Sequence, residues 1–170
     1  MVPHSLGKNN KAIEGLPLTM IVVMVVLAIT IPLIIGSLRA YDRGRVEQEI
    51  ASEIDQFISM VQLVYTSGPG NSAVIDFNAA SGSMTHIECV KFGDEPGGSM
   101  ASVIRYTIQG RPEVMVLLES PNVPMMSSGN TSFQISSGSY SIMAECIVGS
   151  FDLNGDGISN DTFIHLEIVQ

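Results

Sequence analysis

At 170 residues the chain has room for one modest domain once a membrane anchor is set aside, and too little for a large enzyme with a deep cleft. Its formal net charge of −9 is uneven, because residues 66–170 carry only Lys91, Arg105 and Arg111 as basic groups against eleven acidic ones. Such a segment lacks the basic stripe that displaces counterions from a polyanion, so no nucleic-acid partner is expected. Cations, or a basic or neutral surface, fit it better.

A short polar leader, residues 1–12 with Lys8 and Lys11, is followed by the run 18–35, LTMIVVMVVLAITIPLII, which contains no charged residue. At the rise of an α-helix this run reaches about 27 Å, close to the thickness of a hydrocarbon core. It is too long for the apolar region of an ordinary cleaved secretory signal. Its exit, Gly36-Ser37-Leu38-Arg39, offers no small-residue cleavage site, so the anchor should be retained. Pro32 inside it removes one backbone donor, a defect that neighbouring helices in a membrane can compensate.

The helical pattern continues past the apolar run. Val46, Ile50, Ile54, Phe57, Ile58, Val61 and Tyr65 recur at spacings of three and four, with Glu47, Glu49, Glu53, Asp55 and Gln56 on the other faces. One helix is therefore predicted from near Leu18 to near Tyr65, about 70 Å long. Its second half must stand in water with the apolar stripe covered. Thr66-Ser67-Gly68-Pro69-Gly70 ends it.

Beyond Gly70 short runs rich in Val, Ile, Phe, Tyr and Thr alternate with Gly, Ser, Pro and Asn clusters. Strands are expected near 73–77, 84–92, 102–108, 114–119, 132–135, 140–148 and 162–169, with 120–130 and 136–139 as loops. The fold class that follows is α+β. One long N-terminal helix precedes a small antiparallel β-rich head, a sandwich or a sheet packed on the helix, over residues 71–170.

The front of the chain, Lys11-Ala12-Ile13-Glu14-Gly15-Leu16-Pro17-Leu18 running into the apolar helix, resembles the class III signal peptides of archaeal type IV pilin-like proteins. In that family a prepilin peptidase cuts on the cytoplasmic side of the apolar tract, after a small residue preceded by a basic one, and the helix is kept. The resemblance implies a cut between Ala12 and Ile13, with Gly15 as an alternative site and residues 13–65 as the transmembrane and assembly helix. Glu14 departs from the family's preference for an apolar residue just after the cut. The implied partners are prepilin peptidase and other pilin-like subunits, whose apolar half-helices pack together in a filament core. The chain would be a single-pass membrane protein before assembly, with its head outside the cytoplasm.

The flanking charges do not fix the orientation, since Lys8 and Lys11 precede the span and Arg39, Arg43 and Arg45 follow it. The head carries features of an extracytoplasmic domain instead. Cys89 and Cys146 are its two cysteines, each in a predicted strand. On an alternating pattern Cys89 shares a face with Ile87, and Cys146 shares one with Ile142, Ala144 and Val148. A Cys89–Cys146 disulfide would stabilise by about 4 kcal/mol in the chain-entropy model, and two buried free thiols are the alternative. Asn130-Thr131-Ser132 and Asn160-Asp161-Thr162 are glycosylation sequons at Asn130 and Asn160.

The sharpest chemical motif is Asp152-Leu153-Asn154-Gly155-Asp156-Gly157-Ile158-Ser159-Asn160-Asp161. Oxygen side chains at alternate positions, followed by a glycine for the tight turn, let a short loop wrap a calcium ion. The loop resembles those of dockerin and related EF-hand-type modules. That resemblance implies Asp152, Asn154 and Asp156 as side-chain ligands, the Ile158 carbonyl as another, and Asn160 or Asp161 closing the site. The usual bidentate Glu is absent, as Thr162 and Phe163 occupy that end, so affinity in the range of about 10⁻⁴ to 10⁻³ M is expected. An Asn-Gly-Asp-Gly turn joining two strands is the alternative reading.

Catalytic constellations are not evident. His86 and His165 lie in predicted strands, where a structural histidine is the simpler reading, and no nucleophile elbow, zinc-binding helix or phosphate loop occurs. The expectation is a non-enzymatic subunit, minor or accessory, of an archaeal type IV pilus-like surface filament. The alternative is a monomeric membrane-anchored domain that binds a ligand or an envelope component.

Overall fold

The computed structural model describes residues 11–151 and 161–169, with the backbone alone for 11–17. It bears out the α+β reading: one long helix, α1 (Lys11–Ser67), precedes a strand-rich head. The chain forms two compact units whose boundary falls inside α1, between Tyr41 and Asp42. The second half of the helix thus belongs to the head, where the sequence reading began that unit at residue 71.

In the first unit the helix runs through Pro32 without interruption. Thr30 and Ser37 donate their hydroxyls to the carbonyls of Val26 and Leu33, 2.7 and 2.9 Å away and four residues back. Both hydroxyls are thereby satisfied without water, as an apolar surrounding requires.

In the second unit α1 ends where Gly68 takes a φ of +89°, a left-handed conformation that only glycine adopts cheaply. The Gly68 N–H bonds the Tyr65 carbonyl, and the Asn71 side-chain amide caps the carbonyls of Ser67 and Gly68 at 2.8 and 2.9 Å. The carbonyls left open at the end of a helix are met in this way.

Eight strands follow: β1 (Ser72–Ala79), β2 (Ile87–Phe92), β3 (Val103–Ile108), β4 (Val114–Leu117), β5 (Met125–Ser127), β6 (Phe133–Ile135), β7 (Gly138–Val148) and β8 (Thr162–Val169). They build two four-stranded sheets, ordered β1-β7-β8-β5 and β4-β3-β2-β6. Every pairing is antiparallel except β5 with β8. The expectation of seven strands missed β5, which lies in the stretch 120–130 read as a loop. Met125 and Met126 are both fully buried there.

The helix stripe read from the periodicity is the centre of the core. Val46, Ile50, Ile54, Phe57 and Val61 are all buried, joined by Val64. Phe57 meets Phe77 of the first sheet edge to face at 5.7 Å and Phe92 of the second at 4.7 Å between ring centres. One helical side chain therefore ties both sheets together. On one flank Glu53 accepts the Asn78 N–H of edge strand β1. On the other flank, Glu47 pairs with Arg111 in the β3–β4 turn and the Gln62 amide reaches the Glu119 carbonyl beyond β4. Both sheet edges next to the helix are thereby engaged, which limits their use as pairing templates.

Candidate functional site

From Leu18 to Leu38 every large apolar side chain of the first unit is 39 to 66% exposed, on all sides of the helix. A helix that is apolar all round is stable only when lipid or other protein surrounds it. By length and composition this is the one helix among the described residues able to cross a membrane. Ala12 and Ile13, the expected cleavage residues, fall near the start of α1, where the backbone alone is described.

The first buried residue of the second unit is a charge. Asp42 is 8% exposed, and its carboxylate accepts the backbone N–H groups of Ser83 at 3.0 Å and Met84 at 2.8 Å. The Met84 bond is the chief cause holding this carboxyl below the usual carboxylate range. Burial opposes it, and Ser83, Arg45 and Thr85 add to the lowering. A Cβ at Gly82 would collide with the Asp42 carboxylate, so the absence of a side chain there lets the 80–86 loop close over it. Sequence reading passed over Asp42. The signal was available, since 42, 46, 50 and 54 form one row on the helix and its first member is a carboxylate.

The expected Cys89–Cys146 disulfide is not formed: both thiols are free. A β-bulge between Ile87 and Cys89 explains the error. Ile87 pairs with Ile108 and Cys89 with Thr107, so two steps on β2 match one on β3 and the alternation reverses. Cys89 is turned half-buried away from the Ile87 face, whereas Cys146 is fully buried in the core from the other sheet. Burial pushes both thiols above their ordinary pKa. At Cys89 Lys91 and Arg105 oppose that rise and Glu113 adds to it. Protonated thiols are weak nucleophiles and weak metal ligands.

Of the expected calcium ligands, Asp152, Asn154, Asp156, Ile158 and Asn160 lie outside the described residues. The base of the loop is described. The Gly149 N–H donates to the Asp161 carbonyl at 3.0 Å and the Asp161 N–H to the Phe151 carbonyl at 3.2 Å, closing the excursion between β7 and β8. Among the described residues no three His, Cys, Asp or Glu side chains form a metal-holding group. Asn130, of the other sequon, is exposed at the turn between β5 and β6 with φ of +54°. His86 precedes β2 and is exposed, a correction to its placement in a strand that shortens the expected 84–92 element to Ile87–Phe92. His165 is half-buried on β8.

An open groove of 380 Å³, which sequence reading did not anticipate, runs between the helix and the outer side of β1 and β7, lined by Glu53, Asp76, Asn78, Ser139, Tyr140 and Ser141 among others. The Ser141 hydroxyl donates to Asp76 at 2.7 Å and the Ser139 hydroxyl to the Asn78 side-chain oxygen at 3.0 Å. No basic side chain lines it. Comparison with known proteins gives no match to a family model, to a curated protein or to a solved structure.

Proposed function

We propose that the chain is a structural subunit, minor or accessory, of an archaeal type IV pilus-like surface filament, non-enzymatic and carrying its β-rich head outside the cytoplasm. The observation that carries this reading is α1 itself. One continuous helix exposes a run of large apolar side chains from Leu18 to Leu38 and supplies the central core stripe of the head over its second half. A simple tether has no need to extend into the domain it holds, whereas a subunit that assembles through its helix gains from having the helix built into its head. The resemblance of Lys11-Ala12-Ile13 and the following residues to a class III signal peptide supports the same reading, with prepilin peptidase and other pilin-like subunits as partners. Calcium at Asp152–Asp161 and glycosylation at Asn130 and Asn160 belong to this proposal as features of an external head.

Intact-mass measurement and N-terminal sequencing of the protein from its native membrane test it. A mature N-terminus at Ile13 is expected. A start at Met1 or Val2 would sink the pilin-like assignment and leave a membrane-anchored binding domain, whose acidic groove would then be the surface to probe.

A further inference from the structure

The second sheet carries an unusual row on its outer face. Gln134 of β6 stands opposite Lys91 of β2, Lys91 opposite Arg105 of β3, and Arg105 opposite Met115 of β4. Two of the three basic residues beyond position 66 thus face one another across neighbouring strands, where like charges repel. Neither forms an ion pair among the described residues, and Glu113, whose charge reaches Cys89 nearby, pairs with neither. Arg105 donates to the Gly93 carbonyl at 3.1 Å, while its buried Nε has no partner. Met115 and Leu117, at 55 and 56% exposure, extend the row as an open apolar rim. A cationic pair beside uncovered apolar surface, in a head otherwise dominated by acids, is laid out for an anionic protein surface.

The same molecule offers one. The groove holding Glu53 and Asp76 lies on the other sheet, contains no cation, and leaves both carboxylates with acceptor capacity beyond the single neutral bond each makes. We infer that the Lys91–Arg105 face of one subunit docks on the Glu53–Asp76 groove of a second copy of this chain. The two surfaces belong to different sheets and are not the same patch, so the contact is heterologous. A heterologous contact that does not close into a ring propagates into an open chain of subunits. This inference rests on the filament reading and names the head-to-head contact within it.

The chain's own chemistry supplies the test. Its lysines are Lys8, Lys11 and Lys91, so after a cut at Ala12 Lys91 is the sole lysine left. Full-length protein in lipid nanodiscs, mixed from unlabelled and nitrogen-15-labelled batches, is treated with a carbodiimide that joins an amine only to a carboxylate in contact. Mixed-isotope peptides linking Lys91 to Glu53 or Asp76 are expected. Lys91→Glu removes the linking amine itself, so its readout is the yield of associated species, which should fall about tenfold or more as attraction becomes repulsion at one close pair. The swapped variant Lys91→Glu with Asp76→Lys should restore it through the reversed pair, which a misfolded protein would not do. Absence of mixed-isotope Lys91 links, or links only to other carboxylates, overturns the contact. Filaments that persist unchanged in Lys91→Glu overturn it while leaving the filament reading standing. Mixed-isotope links in a chain that keeps Met1 would uphold the contact and sink the filament reading.

Discussion

The Asp42 carboxylate holds the backbone N–H of Met84 at 2.8 Å, across a sequence separation of forty-two residues. A buried charge on the helix thereby fixes the loop that leads into β2. The carboxyl is held below its ordinary range, so its contribution to stability is fully present above about pH 4 and is lost as pH falls through the lowered value. Asp42→Asn should lower the melting temperature at neutral pH, and the gap from the parent should narrow in acid. A gap that stays constant from about pH 7 to about pH 3 would show that ionisation of Asp42 is not what the loop depends on.

Phe57→Ala removes the one helical ring that touches aromatic side chains of both sheets. A loss of about 3–5 kcal/mol in denaturant unfolding is expected, with Phe57→Leu costing less. A loss below about 1 kcal/mol would mean that the sheets hold together without this ring.

Gly93 stands at φ +65° where β2 leaves its sheet, and a Cβ there would run into the Met125 backbone carbonyl. Gly93→Ala must both adopt a costly conformation and push apart β2 and β5. It should destabilise by more than about 2 kcal/mol, and wild-type stability in this variant would contradict the close approach.

The two thiols should label differently. Cys89, half-buried on an outer face, should react slowly with a thiol reagent in the folded protein, and faster as pH rises. Cys146 should react only after unfolding. A protein that shows no free thiol when denatured without reductant would restore the disulfide.

Calcium binding at Asp152–Asp161 predicts a higher melting temperature in millimolar calcium, because an ion that binds only the folded state stabilises it. Asp156→Ala should remove the response. If the variant responds as the parent does, the ion sits elsewhere.

The helix and most strands were legible because burial imposes a period. Val46, Ile50, Ile54, Phe57 and Val61 read as one face and are one, and Ile75 and Phe77 or Ile142 and Ala144 alternate as a half-buried strand should. What failed to show is what breaks period. The bulge before Cys89 reverses inside and outside by one inserted residue, and no residue type announces it. Strand β5 is three residues long and lies among prolines and serines. Its pairing is with β8, far along the chain, so nothing local marks it. The groove and the Lys91–Arg105 row are products of register, which a single sequence does not record. The Asp152–Asp161 motif is the reverse case, plain in the sequence and, but for Asp161, outside the described residues.

Strand β8 sits between β7 and β5, so the last of the described strands fills the middle of its sheet. Until Thr162–Val169 has left the ribosome, β5 lacks the neighbour it bonds to and β7 has only β1. The head therefore cannot complete this sheet before β8 has been made, and a chain cut short before β8 should fail to mature and become prey to proteases.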